Sequence, residues 1–385
     1  MSTVMILGGR APVALDHARR FGLQGWKVFV ADSVPCRTSG WSNAVSASIE
    51  LPPPRDEPQK FGRALAAAAR SREVDLVLPT CEEVFYVSRY RDLMPPTVTV
   101  ATDHIDKLRA LHSKLEFLEI ARGCGANIPE SAGVLSIDEA RDWARGRPVV
   151  LKPEYSRFGV HVHLYPNGIP ADAAPLASQG RWVAQEYCDG EEICSYSVAV
   201  AGRLTAHVAY RPLYRMSRSS SYYFEPMDVP TIRWFVERLV AKIGYTGQIS
   251  FDWILGNRGT CTVLECNPRA ISGVHLFGPE DELPRAFTGE TQEVVEPHVA
   301  RPRMLTPLML TVGLADAIRN GRMAEWRHDF ARANDVFLES GDRMPMLGCV
   351  RDFGSHTWRA LRKRCTVREA TTRDIEWDGE VLPEC

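Results

Sequence analysis

Short apolar runs alternate with helical stretches at the start of the chain. Val4 to Leu7 reads as a buried strand, Gly8-Gly9-Arg10 as a turn, Pro12 to Leu23 as a helix and Lys27 to Ala31 as a second strand, with Asp32 directly after it. This opening predicts a parallel α/β sheet. Its glycines do not follow the G-x-G-x-x-G fingerprint, because Pro12 and Val13 stand where a third small residue is wanted, so no NAD is expected there. Pro52-Pro53-Pro54 marks a surface loop. The alanine-rich segment Phe61 to Arg70 predicts a helix, and Asp75 to Leu78 another buried strand. That strand runs into Pro79-Thr80-Cys81-Glu82-Glu83, which places Thr80, Glu82 and Glu83 at the carboxyl end of a parallel sheet. Thr80 as a helix N-cap, with Glu83 closing a capping box, is the leading expectation.

Beyond residue 103 the pattern changes. His112-Ser113-Lys114 is expected to start a helix running to about Arg122, and Pro148 to Lys152 is a short strand halted by Pro153. Proline holds the preceding residue extended and so fixes where the Lys152 stem points. Ile193 to Val200 and Leu204 to Tyr210 read as strands, and Thr231 to Ile243 as an amphipathic helix. Between them, Arg211 to Pro230 is predicted to be a long lid-like loop. In it Arg211, Arg215 and Arg218 could clamp phosphate or carboxylate, Arg211 being preferred for its nearness to a strand end, and Tyr222, Tyr223 and Phe224 could wall a substrate. Residues 301–385 suggest helices at Ala315 to Gly321 and His356 to Arg364 and a strand at Asp335 to Leu338, with no assignable chemistry.

The chemistry concentrates in Phe251 to Arg269, FDWILGNRGTCTVLECNPR. Ile249 to Leu255 and Thr260 to Cys266 form a hairpin around Gly256-Asn257-Arg258-Gly259. A symmetric turn would set Asp252 opposite Val263 and diagonal to Glu265. Alternation then puts Asp252, Glu265 and Asn267 on one face and Phe251, Trp253 and Leu264 on the other. Two neighbouring carboxylates repel unless a cation lies between them. An oxygen-only set with one Asn suits Mg²⁺, or Mn²⁺ in its place, better than zinc. The competing reading is a solvated hairpin face with Arg269 pairing Glu265.

The chain has 385 residues, 45% of them apolar and 24% charged, which calls for two to four packed units of an ordinary globular protein. A net charge of -2 argues against a general nucleic-acid binder, and no run reaches the length of a membrane span. Ten scattered cysteines without Cys-x-x-Cys spacing read as reduced thiols, so a cytoplasmic protein is expected.

The run Glu265-Cys-Asn267-Pro-Arg269, with Asp252 one strand earlier, resembles the metal-binding end of the ATP-grasp superfamily. The family's other pieces recur upstream in order: Lys114 and Lys152 match its two ATP-contacting lysines, and Trp182 to Glu192 looks like its adenine hinge. Residues 154–160 stand where the family carries a glycine-rich flap, but only Gly159 is a glycine, leaving Ser156 and Arg157 as side-chain donors. The resemblance covers roughly residues 1–300 and implies α/β plus α+β architecture. A Rossmann-like parallel-sheet domain (1–103) would precede a two-subdomain ATP-grasp fold (104–182, then 183–300 with the metal hairpin) and a small C-terminal α+β region (301–385).

It further implies an ADP-forming carboxylate–amine ligase using ATP and Mg²⁺, with an acyl phosphate intermediate. Lys114, Lys152, Ser156, Gly159, Gln185, Glu186, Tyr187, Cys188 and Glu192 would bind nucleotide. Asp252, Glu265 and Asn267 would hold metal, and Arg269 and Arg211 would act on the reacting groups. Expected partners are a small carboxylate and an amine, not nucleic acid or membrane, and a homodimer is allowed. A small-molecule kinase on the same fold, or a nucleotide-binding protein without catalysis, are the alternatives.

Overall fold

A computed structural model describes residues 1–156, 161–176, 180–217, 220–299 and 301–384. Three sheets organise the chain. The first joins β1 (Thr3–Leu7), β2 (Lys27–Asp32), β3 (Ala47–Glu50), β4 (Leu76–Leu78) and β5 (Thr99–Val100) in the order β3-β2-β1-β4-β5. All its pairs are parallel, with β1 fully buried at the centre, as its unbroken apolar run requires. The second joins β6 (Ser131–Val134), β7 (Val149–Pro153), β8 (His163–Tyr165) and β9 (Trp182–Glu186), antiparallel, in the order β6-β9-β7-β8. The third is the largest: β10 (Glu191–Val200), β11 (Arg203–Ser217), β12 (Ser220–Met227), β13 (Gly247–Leu255), β14 (Cys261–Asn267), β15 (Arg303–Met304) and β16 (Asn334–Asp335), ordered β14-β13-β10-β11-β12-β15-β16.

The core of the third sheet is aromatic. Phe235 from the helix Pro230–Ile243 meets Phe251 and Trp253 edge-on, with ring centroids 5.6 and 5.1 Å apart. That contact fixes which face of β13 looks inward, and hence that Asp252 looks the other way.

Several expectations need correction. The stretch Arg211 to Pro230 is not a lid: β11 and β12 form a long hairpin through it, and the following helix begins at Pro230. Tyr222, Tyr223 and Phe224 are buried, Tyr222 and Tyr223 against Met304 and Met309, so they serve as core rather than as a substrate wall. The helix expected from His112 to Arg122 is two helices, Ile105–His112 and Glu116–Arg122, with Ser113 extended between them. The Ser113 hydroxyl accepts the Glu116 N–H at 3.1 Å, the local side-chain bond that lets serine interrupt a helix. Thr80 does not cap a helix: its hydroxyl donates to the Leu7 carbonyl at 2.8 Å, while the Glu83 carboxylate accepts the Thr80 and Cys81 N–H groups.

The C-terminal residues return to the first sheet. Asp374 pairs with Arg10, which also holds Asp32, so the carboxylate that would face a ribose in a dinucleotide site is engaged within the chain. Trp377 stacks on Phe85 with centroids 4.5 Å apart and meets Tyr155 edge-on at 5.3 Å. The helix expected at His356 to Arg364 is longer, Met344–Lys363, and the strand expected at Asp335 to Leu338 is the short β16.

Candidate active site

The hairpin β13–β14 carries a bulge between Asp252 and Trp253. Trp253 faces Val263, but Asp252 faces Glu265 directly, where a symmetric turn would have made them diagonal. One extra residue on β14 re-aims the strand, the usual effect of a bulge beside a functional site. Leu264, expected beside Trp253, is the residue taken up by the bulge, and Val263 fills the core in its place. Ser250 pairs with Asn267, whose side-chain oxygen accepts from Arg269 at 3.2 Å.

Two lysines arrive from elsewhere. Lys152, at the end of β7, is buried and sends its Nζ to within 3.5 Å of Glu265 Oε2. Lys114, in the break between the two helices, is also buried and donates to the carbonyls of Glu154 (3.3 Å) and Ser156 (3.2 Å). Glu154 is the organiser that sequence reading passed over. Its carboxylate accepts from the Ser113 hydroxyl at 2.5 Å and from Arg181 at 2.8 Å, tying the helix break to β7 and β9. Arg269 lies 3.8 Å from Glu82 of the first domain, so all three sheets send residues to one place.

The electrostatics follow from burial. Desolvation pushes the Asp252 carboxyl up, and the Glu265 charge opposite pushes it further. Burial also opposes ionisation of Glu265, but Lys152 and Lys114 outweigh it and hold this carboxyl below its ordinary range. Burial brings the Lys114 ammonium down to about 8 against the upward pull of Glu265. The surroundings thus disfavour charge on Asp252 and favour it on Glu265. Asp252 also accepts from the Cys194 thiol at 3.3 Å, a partner on β10 that no sequence spacing announces.

Asp252 has a testable sign. A carboxyl raised in the folded state binds more protons there than when unfolded, so its contribution to stability falls as pH rises from the ordinary carboxylate range towards neutrality. The variant D252N should therefore be more stable than the wild type by about 1–2 kcal/mol at pH 8 in the absence of ligands, and lose that margin at pH 4. Melting curves at the two pH values check this.

The other candidates are spread along the joint between the second and third sheets. Gln185 is buried, with its amide donating to Ser131 Oγ at 3.2 Å. The N–H groups of Glu186 and Tyr187 donate to the carbonyls of Glu130 (2.8 Å) and Pro148 (3.4 Å), and Cys188 is half-buried as the chain crosses to β10. Glu192 pairs with Arg215 at 2.5 Å, and Arg211 is held between Glu191 and Glu225. Ser156 is half-buried beside Lys114, whereas Arg157, Gly159 and Arg218 lie outside the described residues.

Asp252, Glu265 and Asn267 share one face of the β13–β14 hairpin and would offer a metal oxygen donors only. Among the described residues no cluster of three or more His, Cys, Asp or Glu side chains could hold a metal unaided. Two carboxylates that need further oxygens from a bound phosphate fit Mg²⁺ and do not fit a structural zinc.

No family model matches the sequence. No curated protein matches it either. Solved structures do resemble the fold. N5-carboxyaminoimidazole synthetase from Staphylococcus aureus complexed with ADP aligns at 14% identity over 82% of this chain and 86% of that one, with a TM-score of 0.62. A biotin carboxylase–β-γ-ATP complex from Campylobacter jejuni aligns at 16% identity over 74% and 70% of the two chains, TM-score 0.60. L-amino acid ligase from Bacillus licheniformis aligns at 13% identity over 78% of each, TM-score 0.55. The chain shares the fold of these structures, with a parallel α/β sheet ahead of a four-stranded antiparallel sheet and a larger sheet that is antiparallel except for the β15–β16 pair.

Proposed function

We propose that the chain is an ATP-dependent carboxylate–amine ligase. The observation that carries this reading is the convergence of Lys114 and Lys152 on the Asp252–Glu265 pair, where the second sheet meets the third. Lysines and carboxylates so placed can grip a polyphosphate and its counter-ion together. The structures aligned above include an ADP complex and a nucleotide-analogue complex on this fold, which supports a nucleotide in the same joint.

In this reading a substrate carboxylate attacks the γ-phosphate of ATP, giving an acyl phosphate and ADP, and an amine then displaces phosphate. Phosphorylation supplies the leaving group that a carboxylate lacks. Mg²⁺, held by Asp252, Glu265 and Asn267, would supply charge neutralisation at the β- and γ-phosphates. Lys114 and Lys152 hold phosphate oxygens, and Arg269, steadied by Glu82 and Asn267, faces the acyl phosphate. Ser156 would donate to the phosphates from the flap position; Gly159, assigned to the same flap by the resemblance, lies outside the described residues. Gln185 to Cys188 form the adenine edge, but the Glu186 and Tyr187 amides already have carbonyl partners. Purine reading therefore falls to their carbonyls and to Cys188. Glu192 takes the ribose and Arg211 the second substrate.

We draw the domain boundaries at residues 103, 186 and 300, moving the middle one from 182 because β9 belongs whole to the second sheet. No helix among the described residues is long and apolar enough to cross a membrane, and a cytoplasmic setting with small-molecule partners accords with that.

The test is ADP release with panels of carboxylic acids and amines. Turnover that needs both an acid and an amine is expected. ADP release that needs an acceptor but ignores amines would make the protein a kinase instead.

A further inference from the structure

The helix Met344–Lys363 has one face fixed and one face bare. On the inner side Asp352 accepts the Thr38 N–H and hydroxyl at 2.8 and 3.0 Å, and Gly348 lies so close to Arg37 that an added Cβ would sit 2.4 Å from its carbonyl oxygen. On the outer side Leu347, Val350, Phe353, Trp358 and Leu361 are between 57% and 74% exposed. Isolated apolar side chains on a surface are ordinary, but a continuous stripe along one helix marks an interaction surface.

Four of the five stripe positions are symmetric about Gly354, and the fifth, Phe353, lies next to that point. Val350 and Trp358 lie one turn to either side, and Leu347 and Leu361 two turns. We propose that this face packs on the same face of a second copy, with a two-fold axis passing through Gly354. In such an isologous, antiparallel pair, residues equally distant from the axis meet, so Leu347 faces Leu361 and Val350 faces Trp358. The large indole is matched by the smaller valine, and glycine at the crossing lets the two backbones approach. Within one chain nothing explains that glycine: an added Cβ meets nothing within 4 Å, and glycine inside an exposed helix weakens it.

Charge and area agree with a second copy. Arg351 would face Thr357 and Arg362 would face Met346, so neither arginine directly opposes another. The five exposed side chains present on the order of 600 Å² per copy, approaching the ~800 Å² per partner of a standard interface. The surface lies outside the nucleotide joint, so this inference stands apart from the ligase reading.

Sedimentation equilibrium of the full chain across a wide concentration range tests it. A dimer is expected, and Trp358→Asp should give a monomer with an unchanged circular-dichroism spectrum. Gly354→Leu, which the single chain has room for, should weaken the dimer at least tenfold. Gly354→Cys should form a disulfide-linked dimer on oxidation beyond anything the wild type forms. A wild type that stays monomeric, or a dimer indifferent to both Trp358→Asp and Gly354→Leu, would overturn the proposal. So would a monomer that sediments with phosphatidylglycerol vesicles through these same residues, since the arginines beside the stripe would then be serving a lipid surface.

Discussion

Replacing Glu265 by Gln should lower Mg²⁺-dependent ADP formation by about 10³-fold, the several kcal/mol that metal-assisted charge stabilisation supplies. The amide keeps the size and reach of the side chain but not the charge that a hard cation needs. Glu265 is the more consequential of the two carboxylates because its surroundings favour its charged form. Lys152 and Lys114 stabilise its charge, whereas burial and Glu265 itself push the Asp252 carboxyl up. Asp252→Asn should therefore cost less activity, though still a measurable amount, since a bound cation would displace the Asp252 proton. The competing account, a solvated hairpin face, predicts a change of roughly 0–1 kcal/mol in stability and none in turnover. ADP release measured beside thermal melting separates the two. A Glu265→Gln protein with full turnover and an unchanged melting curve would remove the metal site from the argument.

Much of the scaffold was legible because it rests on local signals. The apolar run of β1, the helix Pro12–Leu23 and the pre-proline end of β7 need only a few neighbouring residues to specify them. What escaped sequence reading depends on distant partners. The β13–β14 bulge arises because Val263 rather than Leu264 fills the space beside Trp253, and no period of two encodes that choice. The polar residues of Arg211 to Met227 suggested a loop because arginines and serines there lack a clean alternation. They are strand residues all the same, since Glu191, Glu192 and Glu225 neutralise Arg211 and Arg215 and Tyr223 inserts into a core made with residues 304–309. The family resemblance supplied Lys114 as a site residue but placed it at the opening of a helix. Its burial in a helix break depends on Glu154, forty residues later, and on the Ser113 hydroxyl. Cys194 reaches the site only through strand order, which sequence does not state, whereas the position of Glu82 at the carboxyl end of a parallel strand was legible.

Lys152→Ala should weaken ATP binding about 10–100-fold, the equivalent of the roughly 1.5–3 kcal/mol of one charge-assisted hydrogen bond. The fold should survive, because β7 is held by backbone pairing to β8 and β9, and Val150 and Leu151 rather than the lysine ammonium carry that register. Glu265 would lose its nearer cation, leaving Lys114 to hold its charge, so its carboxyl should titrate higher than in the wild type. The decisive comparison is between nucleotides. A lysine that grips phosphate predicts a loss for ATP and ADP but none for adenosine, whereas a lysine that merely supports the sheet joint predicts equal losses for all three. Arginine at this position should not restore ATP affinity, because a planar guanidinium needs more room than the buried ammonium occupies. Calorimetric titration of the three ligands against wild type, Lys152→Ala and Lys152→Arg tests the assignment, and equal losses for adenosine and ATP would return Lys152 to a purely structural role.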